Sequence, residues 1–218
     1  MPTIPKELIN DYRKLISDIG HLSIREKDGA EIIKRITGKD IPVVFDPTLL
    51  LTKQEWLEHS IDNNQKNYIL CYFLGENKEH RKWVEKLKKQ TGYKILVLPF
   101  KKIDYCWGDE RLFDVGPKEF IGLIKNASVV CTDSYHGMLF SINLNKEFYS
   151  FLRFKDNDVL NQNSRIINFL EDIQLRDRIV DLNTTNEYSP INWNTINNYL
   201  NEKREHSLSF LKNALIRN

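Results

Sequence analysis

The chain predicts an α/β protein built around a parallel sheet, and three observations carry that expectation. From residue 68 onward, short strand-like runs alternate with longer segments of helical period. The runs over residues 68–74, 93–98, 128–131 and 148–151 are apolar at consecutive positions, as strands covered by helices on both faces require. The intervening segments are long enough to serve as right-handed crossovers between parallel strands. The expected unit is a Rossmann-like domain.

Residues 6–19 place Leu8, Ile9, Tyr12, Leu15, Ile16 and Ile19 on one helical stripe. Residues 21–26 read as a short strand, after which Asp28 is expected to cap a helix that Gly38 ends. Residues 41–45 read as a buried strand stopped by Asp46-Pro47. Thr52 and Glu55 form a capping box that opens a short helix through Trp56. The first 51 residues hold too few strands for a sheet of their own and read as the end of a preceding domain. The polar stretch 62–67 marks a boundary. The expected division is therefore 1–62, the end of an N-terminal Rossmann-like domain; 63–190, a C-terminal Rossmann-like domain; and 191–218, an amphipathic helix.

Within the second unit, a charged helix over 77–90 joins the first two strands, and a long loop runs to Val115. Pro117 sits at a helix start, where proline is favoured. A helix over 135–143 begins directly after the strand that ends at Cys131. Residues 153–163 are polar and expected to be a mobile loop, followed by a helix over 164–171 with Ile166, Ile167, Phe169 and Leu170 inward. Residues 192–216 carry Trp193, Ile196, Leu200, Leu208, Leu211 and Leu215 on one helix.

Composition narrows the function classes. With 32 basic against 30 acidic residues, nothing argues for wholesale nucleic-acid or membrane-surface binding. A hydrophobic content of 41% supports a real core, and no apolar run approaches the roughly 20 residues of a membrane span. Residues 1–6 lack the apolar core of a signal peptide. Cys71, Cys106 and Cys131 are widely spaced and odd in number, and read as reduced thiols of a cytoplasmic protein. Dinucleotide and P-loop glycine motifs are absent, and no carboxylate–histidine cluster has metal-ligand spacing, so neither cofactor nor metal is expected.

The stretch Thr132-Asp133-Ser134-Tyr135-His136-Gly137 is the most informative. Thr132, Asp133 and Ser134 are good N-cap residues at the end of a strand, which suits them to present backbone N–H groups to an anion. His136 stands one turn into the helix, at the strand edge where open α/β sheets bind ligands, and is the candidate acid/base group. Gly137 is expected to let a substrate approach the backbone. Arg25 follows an apolar strand and suits a carboxylate or phosphate; a surface strand cap is the plainer reading. Arg153 and Arg165 bracket the polar loop and are candidates for an anion clamp, although each alone reads as a solvated charge. Gly116 before Pro117 and Gly75 after the first regular strand are weaker candidates for substrate-facing turns. Asp46 reads first as a strand terminator and second as a cleft residue.

Taken together, several segments resemble the polysaccharide pyruvyl transferase family. They are Ser23-Ile24-Arg25-Glu26, the run from Phe45-Asp46-Pro47-Thr48 through Leu51, the run over 68–75, and above all Thr132 to Ile142. Ser164-Arg165-Ile166 and Leu175-Arg176-Asp177-Arg178-Ile179 are similar to the family's C-terminal pattern. The resemblance implies a GT-B-like fold with the active site between two Rossmann-like halves, the second of which binds the donor. It implies phosphoenolpyruvate as donor substrate, and a sugar of a surface polysaccharide or a lipid-linked oligosaccharide as acceptor. Membrane association would then run through the acceptor. His136 falls on the family's histidine, and Arg25 on an arginine at the cleft. Such a family member carries a fuller N-terminal domain, so a missing N-terminal half is an expected partner.

Two other readings stay open. A GT-B-type glycosyltransferase would take a nucleotide sugar, with Asp104, Asp109, Glu110 and Asp114 as acidic candidates for a ribose contact. A non-catalytic truncated module would pair with a chain supplying the missing half.

Overall fold

The computed structural model describes residues 4–155, 158, 161–182 and 188–216. Its centre is a five-stranded, all-parallel sheet of β1 (Tyr68–Tyr72), β2 (Lys94–Val97), β3 (Glu110–Arg111), β4 (Val129–Thr132) and β5 (Phe148–Ser150), in the order β3-β2-β1-β4-β5. The chain winds outward from β1 to β3, then returns to the other side of β1 for β4 and β5. That reversal opens a crevice at the carboxyl ends of β1 and β4, the place where such sheets bind ligands.

Alternation along the strands sorts side chains to two faces. Leu70, Leu96, Val130 and Phe148 face one layer, packed with Ile121 and Ile124 from α5 (Pro117–Asn126) and Leu139 and Ile142 from α6 (Tyr135–Asn143). Helices α7 (Asn163–Asp172) and α8 (Trp193–Leu215) add Ile166, Leu170, Ile196 and Leu200 to it. Ile69, Cys71, Ile95 and Val129 face the other layer, where α4 (Lys78–Thr91) supplies Val84 and Leu87.

Before the sheet come α1 (Ile9–Ser17), α2 (Lys27–Thr37) and α3 (Lys53–Glu58). The two expected strands here shrink to a single parallel bridge between Ile24 and Val43, which flank α2. Val43 is exposed, so the run over 41–45 is not a buried strand. Gly38 ends α2 in the left-handed conformation as expected, but Glu26, not Asp28, precedes its first turn. The Thr52–Glu55 capping box forms. Inside the expected long loop, the short β3 was not foreseen: two residues carry too little pattern to read. The expected mobile loop over 153–163 lies partly outside the described residues.

Residues 46–58 pack into the sheet's core. Leu49 is fully buried in the same cluster as Leu70 and Met138. Helix α8 fastens this segment from the other side, with Arg204 Nε donating to Leu49 O at 2.8 Å and the Phe45 amide donating to Ser207 Oγ at 2.9 Å.

Candidate functional site

One stripe of α6 assembles the site. His136, Phe140 and Asn143 lie at helical spacing on one face, and each meets the segment 46–56. Asn143 Nδ2 donates to Thr48 O at 3.1 Å and Leu51 O at 3.0 Å. Phe140 meets Trp56 edge-on with centroids 5.1 Å apart. At the open end of the stripe, His136 Nε2 lies 3.4 Å from Asp46 Oδ2.

Asp46 is the pivot. Its side chain is 2% exposed, whereas those of Arg25 and His136 are 41% and 52% exposed. Oδ1 accepts from the Thr48 amide at 3.0 Å and the Thr48 hydroxyl at 2.9 Å, a local turn that Pro47 favours. Oδ2 is shared by Arg25 Nη1 and His136 Nε2. Burial pushes this carboxyl up, but the contacts from His136 and Thr48 outweigh it and hold Asp46 well below the usual carboxylate range. The group is therefore a fixed negative charge between two half-exposed cationic or potentially cationic side chains.

A cavity of about 190 Å³ is lined by Arg25, Asp46 and Arg165. Phe45, Phe169 and Tyr199 give it aromatic walls. Arg165 is steered by Glu26, whose carboxylate meets its Nε at 2.7 Å. His136 reaches Asp46 but does not line this cavity, so the histidine and the cavity meet at the carboxylate.

The turn after β4 is more self-contained than its sequence suggested. Asp133 Oδ1 accepts from the Leu74 amide at 2.6 Å and Oδ2 from the Gly75 amide at 2.9 Å, which bridges the crevice between β4 and β1. Ser134 Oγ accepts from the Gly137 amide at 3.3 Å, and Thr132 Oγ1 from the Ser134 amide at 3.0 Å. The expected anion cradle therefore spends two of its amides, and the side chains of Thr132, Asp133 and Ser134, on backbone groups. Asp133 and Ser134 are both 2% exposed. Gly137 is explained by packing, not by substrate approach: a Cβ there would lie 2.7 Å from Thr132 Oγ1.

Gly75 is likewise filled by protein, with Asp133 Oδ2 and the Arg153 methylenes where its side chain would be. Arg153 and Arg165 do come together. Both line a small cavity of about 30 Å³ with Asp133 and Tyr135, and Arg153 stacks over Phe154 at 4.7 Å. Gly116 is the N-cap of α5, folded under the Glu119 carboxylate, and lines neither of these two cavities. Of the expected site residues, His136 and Arg25 meet at Asp46, Arg165 lines the same cavity as Asp46, Arg153 stands beside Arg165, and Gly116 stands apart.

Sequence reasoning underrated Asp46 and, although it expected the helix over 192–216, did not bring that helix to the site. The signal for Asp46 was its place after the second of two short runs flanking a helix, the first of which ends near Arg25. Helix α8 brings Tyr199, Lys203, His206 and Ser207 to the cavity from about 150 residues beyond Asp46, a juxtaposition that no local pattern records. The acidic residues weighed for a ribose contact are mostly engaged. Asp104 is buried against Arg81, Asp109 holds Lys88 and the Ile95 amide, and Glu110 meets Gln65 and Lys94.

No helix among the described residues is long and apolar enough to cross a membrane. A family model described as polysaccharide pyruvyl transferase matches residues 1–153, which include Arg25, Asp46 and His136 but not Arg165. No curated protein matches the chain. Among solved structures, the wall teichoic acid polymerase TagF is similar over 97% of this chain with 16% identity and a TM-score of 0.44. The chain spans 56% of that structure's length.

Proposed function

The chain belongs to the polysaccharide pyruvyl transferase family, and from that premise we propose that it forms a pyruvyl ketal on a sugar. The donor is phosphoenolpyruvate, and the acceptor is a sugar of a surface polysaccharide or of its lipid-linked precursor. The observation that carries the reading is the grouping of Arg25, Asp46 and His136 beside a cavity that also takes in Arg165.

An acceptor hydroxyl adds to C2 of phosphoenolpyruvate. A new C–O bond forms there while the C2–C3 double bond takes a proton at C3, leaving a methyl group. A neighbouring hydroxyl of the same sugar then attacks C2 and loses its proton. The C2–O bond to phosphate breaks, and inorganic phosphate leaves as the cyclic ketal closes. In this reading His136 exchanges protons with hydroxyl and methylene. Arg25 and Arg165 supply forked donors for the carboxylate and phosphate of the donor, whose charge moves as phosphate departs. The aromatic walls suit the apolar face of a sugar ring.

Calorimetric titration with phosphoenolpyruvate tests the reading, with UDP as a control. Wild type is expected to bind, and Arg25→Ala to weaken binding by about 10- to 100-fold, the worth of one charged hydrogen-bonding contact. His136→Ala is expected to weaken it less, because a proton-transfer group acts chiefly in the transition state. A folded chain that takes UDP and ignores phosphoenolpyruvate overturns the proposal in favour of nucleotide-sugar chemistry.

A further inference from the structure

Arg25 and His136 approach the same oxygen of Asp46. Oδ1 is fully occupied by the Thr48 amide and hydroxyl, so only Oδ2 is available to either. Two donors that lean on one carboxylate oxygen compete for it, and what one loses the other gains.

We infer that Asp46 is a shared counterion and a positioning residue for His136, dividing Oδ2 between the imidazole and Arg25. While Arg25 stays on Oδ2, the ring is held only loosely, at 3.4 Å. When an anion in the cavity draws the guanidinium away, the whole carboxylate turns to His136. The imidazole is then oriented through Nε2, its hold on a second proton rises, and Nδ1 is the ring nitrogen that remains to exchange protons. Anion arrival and proton-transfer readiness are thereby linked through one buried carboxylate.

The surrounding charges leave this role to Asp46. At the start of α2, Glu26 is committed to Arg165. From α7, Asp172 pairs with Lys27. From α8, Lys203 and His206 line the cavity and add only basic groups. Tyr135, next to His136, is held neutral by burial and by the negative charges of Asp46 and Glu26.

The inference rests on reading His136 as the proton-transfer group, but its test needs neither donor nor acceptor. The failure of one is thus distinguishable from the failure of the other. The ring resonances of the five histidines are followed by NMR against pH, with His136→Gln identifying the signal. Asp46→Asn is expected to lower the proton affinity of His136 by about three- to tenfold, allowing for the ring's half exposure. Arg25→Gln is expected to raise it. In the Asp46→Asn background the effect of Arg25→Gln shrinks, because the shared oxygen that couples them has lost its charge.

An Arg25→Gln effect of equal size in both backgrounds would overturn the inference, leaving only the direct field of the guanidinium. So would an unchanged His136 titration in folded Asp46→Asn. Should that variant not fold, wild type carries the test: the Asp46 carboxyl carbon is expected to shift in step with the His136 ring. A carboxyl signal indifferent to ring protonation sinks the idea.

Discussion

Asp46 combines near-complete burial with four polar contacts, and its stability contribution follows from that combination. Its carboxyl is lowered in the fold relative to the ordinary value of 3.8. A lowered acid stabilises the fold fully above its unfolded value and loses that contribution as pH falls towards the folded one. Asp46→Asn is therefore expected to cost about 2 kcal/mol at pH 7, after discounting the half-exposed partners. The gap between wild type and variant should close as pH drops below about 4. Urea denaturation at pH 7, 5 and 3 reads this directly, and a gap independent of pH would contradict it. Asp133 shows the opposite balance. Burial raises its carboxyl, and the Leu74 and Gly75 amides only partly offset that. It stands at the ligand edge of the sheet yet serves the backbone, which is why residue type alone misassigned it.

At the scale of elements, the long loop after β2 is held by a buried ion pair. Arg81 Nε donates to Asp104 Oδ1 at 3.0 Å, and its Nη atoms donate to Asn77 O and Gly75 O, both at 3.0 Å. Asp104 Oδ2 in turn accepts from the Phe100 and Lys101 amides. One guanidinium thus ties the start of α4, the turn after β1 and the loop that leads to β3. Truncating one partner leaves a buried charge unpaired, so Arg81→Ala is expected to cost about 3–5 kcal/mol. The thermal midpoint measures the loss, and Arg81→Ala with Asp104→Ala together should cost less than the sum of the two. Additive losses would show that the pair does not act as a unit. Neither residue was readable as a pair: they lie 23 positions apart, on a helix and in a short 3-10 turn.

For the whole molecule, α8 is the clasp. Arg204 donates to Leu49 O, to Asn201 Oδ1 at 2.7 Å and to Asn143 Oδ1 at 3.3 Å, which joins the C-terminal helix, the Asp46 segment and α6. Arg204→Ala is expected to raise amide exchange across residues 46–51 at least tenfold while leaving β1 and β4 protected, since the sheet's own core is untouched. Exchange that rises equally in the strands would mean that α8 supports the sheet and not the site.

The sequence by itself determined the four longer strands of the parallel sheet, its helices and the position of His136. These follow from local causes: two-sided apolar runs make covered strands, N-cap residues start helices, and Gly38 and Gly92 end them in the left-handed conformation. Helix α6 spans the residues expected for it, because Ser134 supplies its cap and Asn143 its last turn. Tertiary structure alone decided what those residues face. Arg25, Asp46, His136 and the α8 residues belong to segments far apart in the chain. Each was ambiguous alone, because a charged side chain near a strand end has the same local pattern whether it meets solvent, backbone or a counterion. Only packing sends Asp133 to the backbone and Asp46 to His136, since burial makes a carboxylate keep whichever donors the fold has placed within reach.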